Sequence, residues 1–135
     1  MANYYGKART NYFAVKDDDA FLDEMAGLAV TVVRRRELGE TLYGFIDQNF
    51  DGAGLEWERL NSHGEIVDID WITILAKHLA EGHVAVIMEV GFEKYRYLNG
   101  WALAVNNKGE VTELNLMHIY EQARRLGPHI TTVGD

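Results

Sequence analysis

Acidic and amide side chains crowd one short stretch of this chain, Asp47-Gln48-Asn49-Phe50-Asp51-Gly52-Ala53-Gly54-Leu55-Glu56-Trp57-Glu58. Oxygen ligands at positions 1, 3 and 5, a glycine at 6 and a glutamate at 12 make the pattern of a calcium loop. Asp47, Asn49, Asp51 and Glu58 would be its ligands, with Gly52 at the sharp turn. Two features oppose that reading. Position 8 holds Gly54 where an aliphatic residue belongs, and the flanks TLYGFID and LEWERL read as strands rather than helices. Asp, Asn and Gly are also the ordinary residues of turns, so the stretch fits an acidic connection between two strands. Calcium is therefore the alternative cofactor reading, and the principal reading has no cofactor.

Other chemistry has less to work with. Glu89, at the end of an apolar run, and Glu93 are the candidates for acid–base catalysis. A buried carboxylate needs a partner, and Lys94, Arg96 or Arg59 would supply one for Glu89. His78 and His83 are five apart, which is not the i, i+4 spacing of a zinc helix. There is no cysteine, and the single serine, Ser62, lacks a G-x-S-x-G elbow. A catalytic assignment is therefore not expected, and a small enzyme using Glu89 or Glu93 stands as an alternative.

The balance of charge points elsewhere. With 21 acidic and 13 basic residues the formal net charge is −8. Direct nucleic-acid binding would call for a basic face that displaces counterions. An acidic face suits a partner whose own surface is basic. Asp47, Asp51, Glu56, Trp57, Glu58, Glu65 and Asp68 form the candidate partner-binding surface, with Trp57 as its aromatic member. The three arginines Arg34, Arg35 and Arg36 are the one basic run, with Glu37 and Glu40 beside them.

These residues need a frame. Val84, Val86, Met88 and Val90 share one parity of a strand, with Ala85 and Ile87 on the other. Both faces are apolar, which predicts a central strand covered from two sides. Further runs at Tyr95–Leu98 and Trp101–Val105, with Asn99-Gly100 between them, predict a meander. Strands are also expected at Ala8–Val15, Ala29–Arg34, Thr41–Asp47, Leu55–Leu60 and Glu110–Leu114. Asp17-Asp18-Asp19 starts a helix carrying Phe21, Leu22, Met25 and Ala26, which Gly27 stops. A second helix, capped by Asp68 or Asp70, carries Ile72, Leu75, Ala76 and Leu79, with Trp71 at the edge of that face. A third, capped by Asn115, carries Leu116, Ile119, Tyr120 and Ala123 and ends at Gly127-Pro128.

The expected fold class is therefore α+β, a largely antiparallel sheet with about three helices packed on it. The lone proline and the absence of any linker composition predict one compact domain over residues 1–135. No apolar run reaches the ~18–20 residues of a membrane helix, and the N-terminus has no signal-type apolar core. A cytoplasmic protein without a membrane partner is expected.

Three blocks, YYGKARTNYFAVKD, HLAEGHVAVIMEVGFEKYRYLNGWALAVNNKGE and IYEQARRLG, cover much of the chain. Together they resemble a family of small acidic uncharacterised proteins carried on bacterial plasmids, phages and integrated elements. The resemblance brings no catalytic motif with it. It implies an anti-defence role of the anti-restriction or anti-CRISPR type, in which a non-enzymatic protein occludes a host nucleic-acid-processing defence protein, partly as a DNA mimic.

Overall fold

The structure is a computed structural model and describes residues 4–48, 52–94 and 97–132. In chain order its elements are β1 (Tyr5–Thr10), α1 (Asp18–Ala26), β2 (Val30–Glu37), β3 (Glu40–Asp47), β4 (Glu58–Leu60) and β5 (Ile66–Asp68). Then follow α2 (Trp71–His78), β6 (Val84–Glu93), β7 (Tyr97–Asn106), β8 (Val111–Asn115), a 3-10 turn (Leu116–His118) and α3 (Ile119–Ala123). The described residues form a six-stranded sheet in the order β2-β3-β1-β6-β7-β8, with a separate β4–β5 hairpin. Every strand pairing is antiparallel, and the class is α+β. No helix among the described residues is long and apolar enough to cross a membrane.

Helices α1 and α2 cover one face. Each starts as its sequence dictates. Asp17 accepts from the Ala20 N–H (3.1 Å), and Asp70 accepts from the Thr73 N–H (3.1 Å) and hydroxyl (2.8 Å). Both carboxylates fill orphan donors of a first helical turn. Between helices and sheet lie Phe13, Phe21, Met25, Phe45, Trp71, Leu75, Leu79 and Ile87, all essentially inaccessible. Trp71 is not at the edge of this layer. It is buried and stacks on Phe45 (centroids 4.9 Å apart), because its indole N–H finds the Glu56 carbonyl at 2.8 Å and leaves no polar atom needing water.

Several boundaries differ from expectation for identifiable reasons. The first strand is Tyr5–Thr10, earlier than Ala8–Val15. At Asn11 the N–H still donates to the Val86 carbonyl (3.1 Å), but the side chain takes over the acceptor role from the backbone: it accepts from the Val86 N–H (2.8 Å) and donates to the Val84 carbonyl (3.0 Å). Asn99 and Gly100 lie inside β7, in register with Gly91 and Val90, so two long strands replace three short ones. Leu55–Trp57 is loop, and only Glu58–Leu60 pairs as strand. The last helix begins as a 3-10 turn and α3 is a single short helix with no buried residue. Leu116 and Ile119 stay more than half exposed, so this segment does not join the core.

Two loops share one device. Asn61-Ser62-His63-Gly64-Glu65 and Asn106-Asn107-Lys108-Gly109-Glu110 both read N-x-x-G-E. Asn61 Oδ1 accepts from the N–H groups of His63 and Glu65, and Asn106 Oδ1 accepts from those of Lys108 and Glu110. Gly64 and Gly109 take the positive φ (78° and 79°) that closes each turn.

Candidate functional site

The loop between β3 and β4 is fixed from beneath by Glu89. This carboxylate is buried, on the helix-covered parity of β6. The Leu55 N–H donates to its Oε1 (2.9 Å), and the Tyr4 hydroxyl donates to its Oε2 (3.0 Å). Asn99 Nδ2 in turn donates to the Tyr4 oxygen (3.0 Å). Room for Tyr4 comes from the register partners Gly6 and Gly91, where any Cβ would run into the tyrosine ring or hydroxyl. Burial first, and then the adjacent carboxylate, push the Tyr4 phenol above its usual value against the opposing bond from Asn99.

Among the described residues no cation takes the partner role expected beside Glu89. Neutral donors from Tyr4 and Leu55 satisfy the carboxylate, and Arg96 lies outside the described residues. Such a group holds a loop down as a hydrogen-bonded strut. Glu93 sits at the end of β6, half-buried opposite Tyr97.

Two of the calcium candidates belong to different strands, and the other two lie outside the described residues. Asp47 ends β3, and its Oδ2 accepts from the Ala8 N–H of β1 at 2.7 Å. Asn49 and Asp51 lie outside the described residues. Glu58 belongs to β4, where Asp68 is its cross-strand partner. Among the described residues no group of three or more His, Asp or Glu is gathered as a metal site would gather them.

Of the seven partner-binding candidates, five lie on or beside the β4–β5 hairpin, while Asp47 ends β3 and Asp51 lies outside the described residues. Glu56, Trp57, Glu58, Glu65 and Asp68 are all exposed there. Two contacts seat the hairpin on the helix side of the sheet, the Trp71 indole on the Glu56 carbonyl and the Trp57 ring 5.8 Å from that of Trp101, while the Ile69 N–H on the Trp57 carbonyl (2.8 Å) extends the hairpin's own pairing. The register sets Glu58 directly opposite Asp68. Like charges directly opposite each other destabilise a strand pair. None of the ion pairs found among the described residues neutralises either of them. At the tip Leu60 faces Ile66, both exposed.

Two histidines have settled roles that no sequence spacing announced. His78 Nε2 lies 2.6 Å from Glu24 Oε1, and Lys77 Nζ lies 2.7 Å from the same oxygen. Burial alone would raise the Glu24 carboxyl, but Lys77 and His78 outweigh it and hold it below the ordinary carboxylate value. His83 Nδ1 accepts from the Ala14 N–H at 3.1 Å, which places any ring proton of the neutral form on Nε2.

The second sheet face holds what sequence reasoning missed. A shallow groove of about 1040 Å³ opens there, lined by Tyr5, Val90, Phe92, Leu98 and Leu116, with Lys7 and Lys94 beside them. Neither Glu89 nor Glu93 lines it. The two-sided apolar run of β6 predicts a strand covered twice, but helices cover only one of its faces and the other stays open. Comparison with family models, with curated proteins and with solved structures finds no match to this chain.

Proposed function

We propose that this is a non-enzymatic binding protein of a mobile genetic element, which occludes a host nucleic-acid-processing defence protein by presenting the acidic β4–β5 hairpin to its basic groove. The observation that carries the reading is the pairing of Glu58 with Asp68, both exposed and with no salt-bridge partner among the described residues, beside Glu56 and Glu65. A hairpin held by its own charges alone would not place two carboxylates across from each other. A basic partner would turn that repulsion into attraction, and would be steered to it over a Debye length of roughly 8–10 Å. The resemblance to small acidic proteins of plasmids and phages suggests the anti-restriction or anti-CRISPR class, with a cytoplasmic site of action.

The test is functional. The protein is expressed in hosts carrying restriction or RNA-guided interference systems, and phage plating efficiency is scored. Protection is expected in at least one system, with salt-sensitive binding to its purified nuclease or targeting complex. The variant Glu56→Lys/Glu58→Lys/Asp68→Lys is expected to lose both. Protection that survives this triple reversal removes the hairpin from the mechanism.

A further inference from the structure

The sheet face turned away from α1 and α2 is built from the opposite parity of each strand. On β1 it carries Tyr5, Lys7 and Arg9, and on β6 Val84, Val86, Met88, Val90 and Phe92. Register extends it to Leu98, Gly100, Ala102 and Ala104 of β7, and to Thr112 and Leu114 of β8. Leu116 follows on the same side, its side chain over Gly100. Apart from the less exposed Val86, its large apolar side chains are about half exposed, from 44% at Val84 to 66% at Val90. Contiguous apolar patches of this extent mark interaction surfaces.

We infer that this face is the two-fold interface of a homodimer, covered by a second copy of the chain. Three observations select that occupant. The first is area. Tyr5, Val84, Met88, Val90, Phe92, Leu98, Leu114 and Leu116 are about half exposed. At roughly 200 Å² per fully exposed side chain, they offer on the order of 800 Å², the amount each partner buries in a stable interface.

The second observation is shape. On this face Ala102 and Ala104 make a trough along β7, which the Leu116 side chain closes at the Gly100 end. The larger row Val86, Met88 and Val90 flanks it on one side, and Thr112 and Leu114 on the other. One surface thus holds both ridge and trough, as a self-complementary two-fold contact requires. Packed sheets keep their strands within about 30° of each other, so the β6 ridge of one copy can enter the β7 trough of its partner.

The third observation is charge. The chain carries a net −8, so two copies repel over most of their surface. On this face β1, β6, β7 and β8 present no Asp or Glu, and their only charges are Lys7 and Arg9 of β1. Copies therefore approach here with least opposition. The inference goes beyond the proposed function and is independent of it, since the acidic hairpin lies on the helix side. A dimer closed in this way would display two such hairpins on its outer layers.

Equilibrium sedimentation of the full chain tests it. The expected mass is twice the 15.3 kDa of one chain, with dissociation at micromolar concentration or below. Val90→Glu and, as a parallel variant, Met88→Lys are expected to sediment as monomers with an unchanged far-UV circular dichroism spectrum. Leu38→Glu, at the exposed tip of the β2–β3 hairpin, is expected to remain dimeric. A wild-type chain that stays monomeric up to about 100 µM overturns the inference. So does a dimer that persists unweakened in folded Val90→Glu, which would place the contact on another surface. A monomeric wild type whose folded Val90→Glu variant alone loses protection of the host also overturns it, assigning the face to a foreign partner.

Discussion

The Cβ that Gly54 lacks would stand 2.5 Å from Oε1 of Glu89. Gly54 also holds φ at +84°, a conformation that L side chains rarely adopt. The loop can therefore lie on the buried carboxylate only with glycine at this position. Gly54→Ala is expected to destabilise the fold by about 2–4 kcal/mol, lowering the melting temperature by roughly 10 °C. Glu89→Ala is expected to cost about 2–3 kcal/mol alone, because the buried Leu55 N–H loses its acceptor. Urea unfolding of the two single variants and the double variant should show sub-additive losses, since the clash disappears with the carboxylate. Fully additive losses would mean that the two residues do not meet.

Glu24 makes stability depend on pH at the acid end. Its folded carboxyl lies below the ordinary value of 4.5, because Lys77 and His78 outweigh the opposing effect of burial. A group with a depressed folded value contributes stability above the unfolded value and loses it as pH falls through the folded one. Thermal unfolding of wild type and Glu24→Gln should therefore differ most above pH 4.5, with wild type the more stable. The gap should narrow steadily on acidification below that point. A gap that is constant from pH 3 to pH 7 would contradict the ion pairing.

The β2–β3 hairpin turns on Leu38-Gly39, between the paired residues Glu37 and Glu40. Both turn residues have positive φ, 53° at Leu38 and 79° at Gly39. That is the requirement of a type I′ turn, which Asn-Gly meets far better than Leu-Gly. Leu38 is also fully exposed and packs on nothing. Leu38→Asn is expected to stabilise the protein by about 0.5–1 kcal/mol, read as a raised urea midpoint with an unchanged slope.

Charge reversal on the acidic hairpin separates its two possible roles. Asp68→Lys places a cation opposite Glu58 and should stabilise the hairpin by about 0.2–1 kcal/mol. On the proposed function the same change weakens binding and reduces its salt dependence. A variant that melts higher and protects the host less is the expected result. One that melts higher with undiminished protection would leave the acids as solubilising charge only.

Local order was legible because it rests on local rules. Asp17, Asp70 and Asn115 were readable as caps, since a short polar side chain beside an apolar periodic run meets orphan N–H groups wherever it occurs. The β2–β3 pairing and the apolar parity of β6 followed from alternation and a Gly-containing turn. From these the α+β class with a mainly antiparallel sheet was already determined. Part of the acidic candidate set was readable too, as Glu56, Trp57, Glu58, Glu65 and Asp68 cluster in sequence because one hairpin carries them.

What remained hidden depends on contacts between distant residues. Tyr4 reaches Glu89 across 85 positions, and Glu24 reaches His78 across 54, with no spacing to announce either. Asn99-Gly100 reads as a turn in isolation, yet its register against Val90 and Gly91 makes it strand. The opening stretch of acids divides in the same way. Asp47 is drawn to the Ala8 N–H of β1, while Glu58 is paired with Asp68 of β5. By itself the sequence determined the fold class, the helix starts and where charge accumulates, because periodicity and composition are properties of neighbours along the chain. Only the tertiary structure decided that α1 and α2 cover a single face of β6 and leave Met88, Val90 and Phe92 in the open, because alternation shows that two faces are apolar but not how many layers exist to cover them.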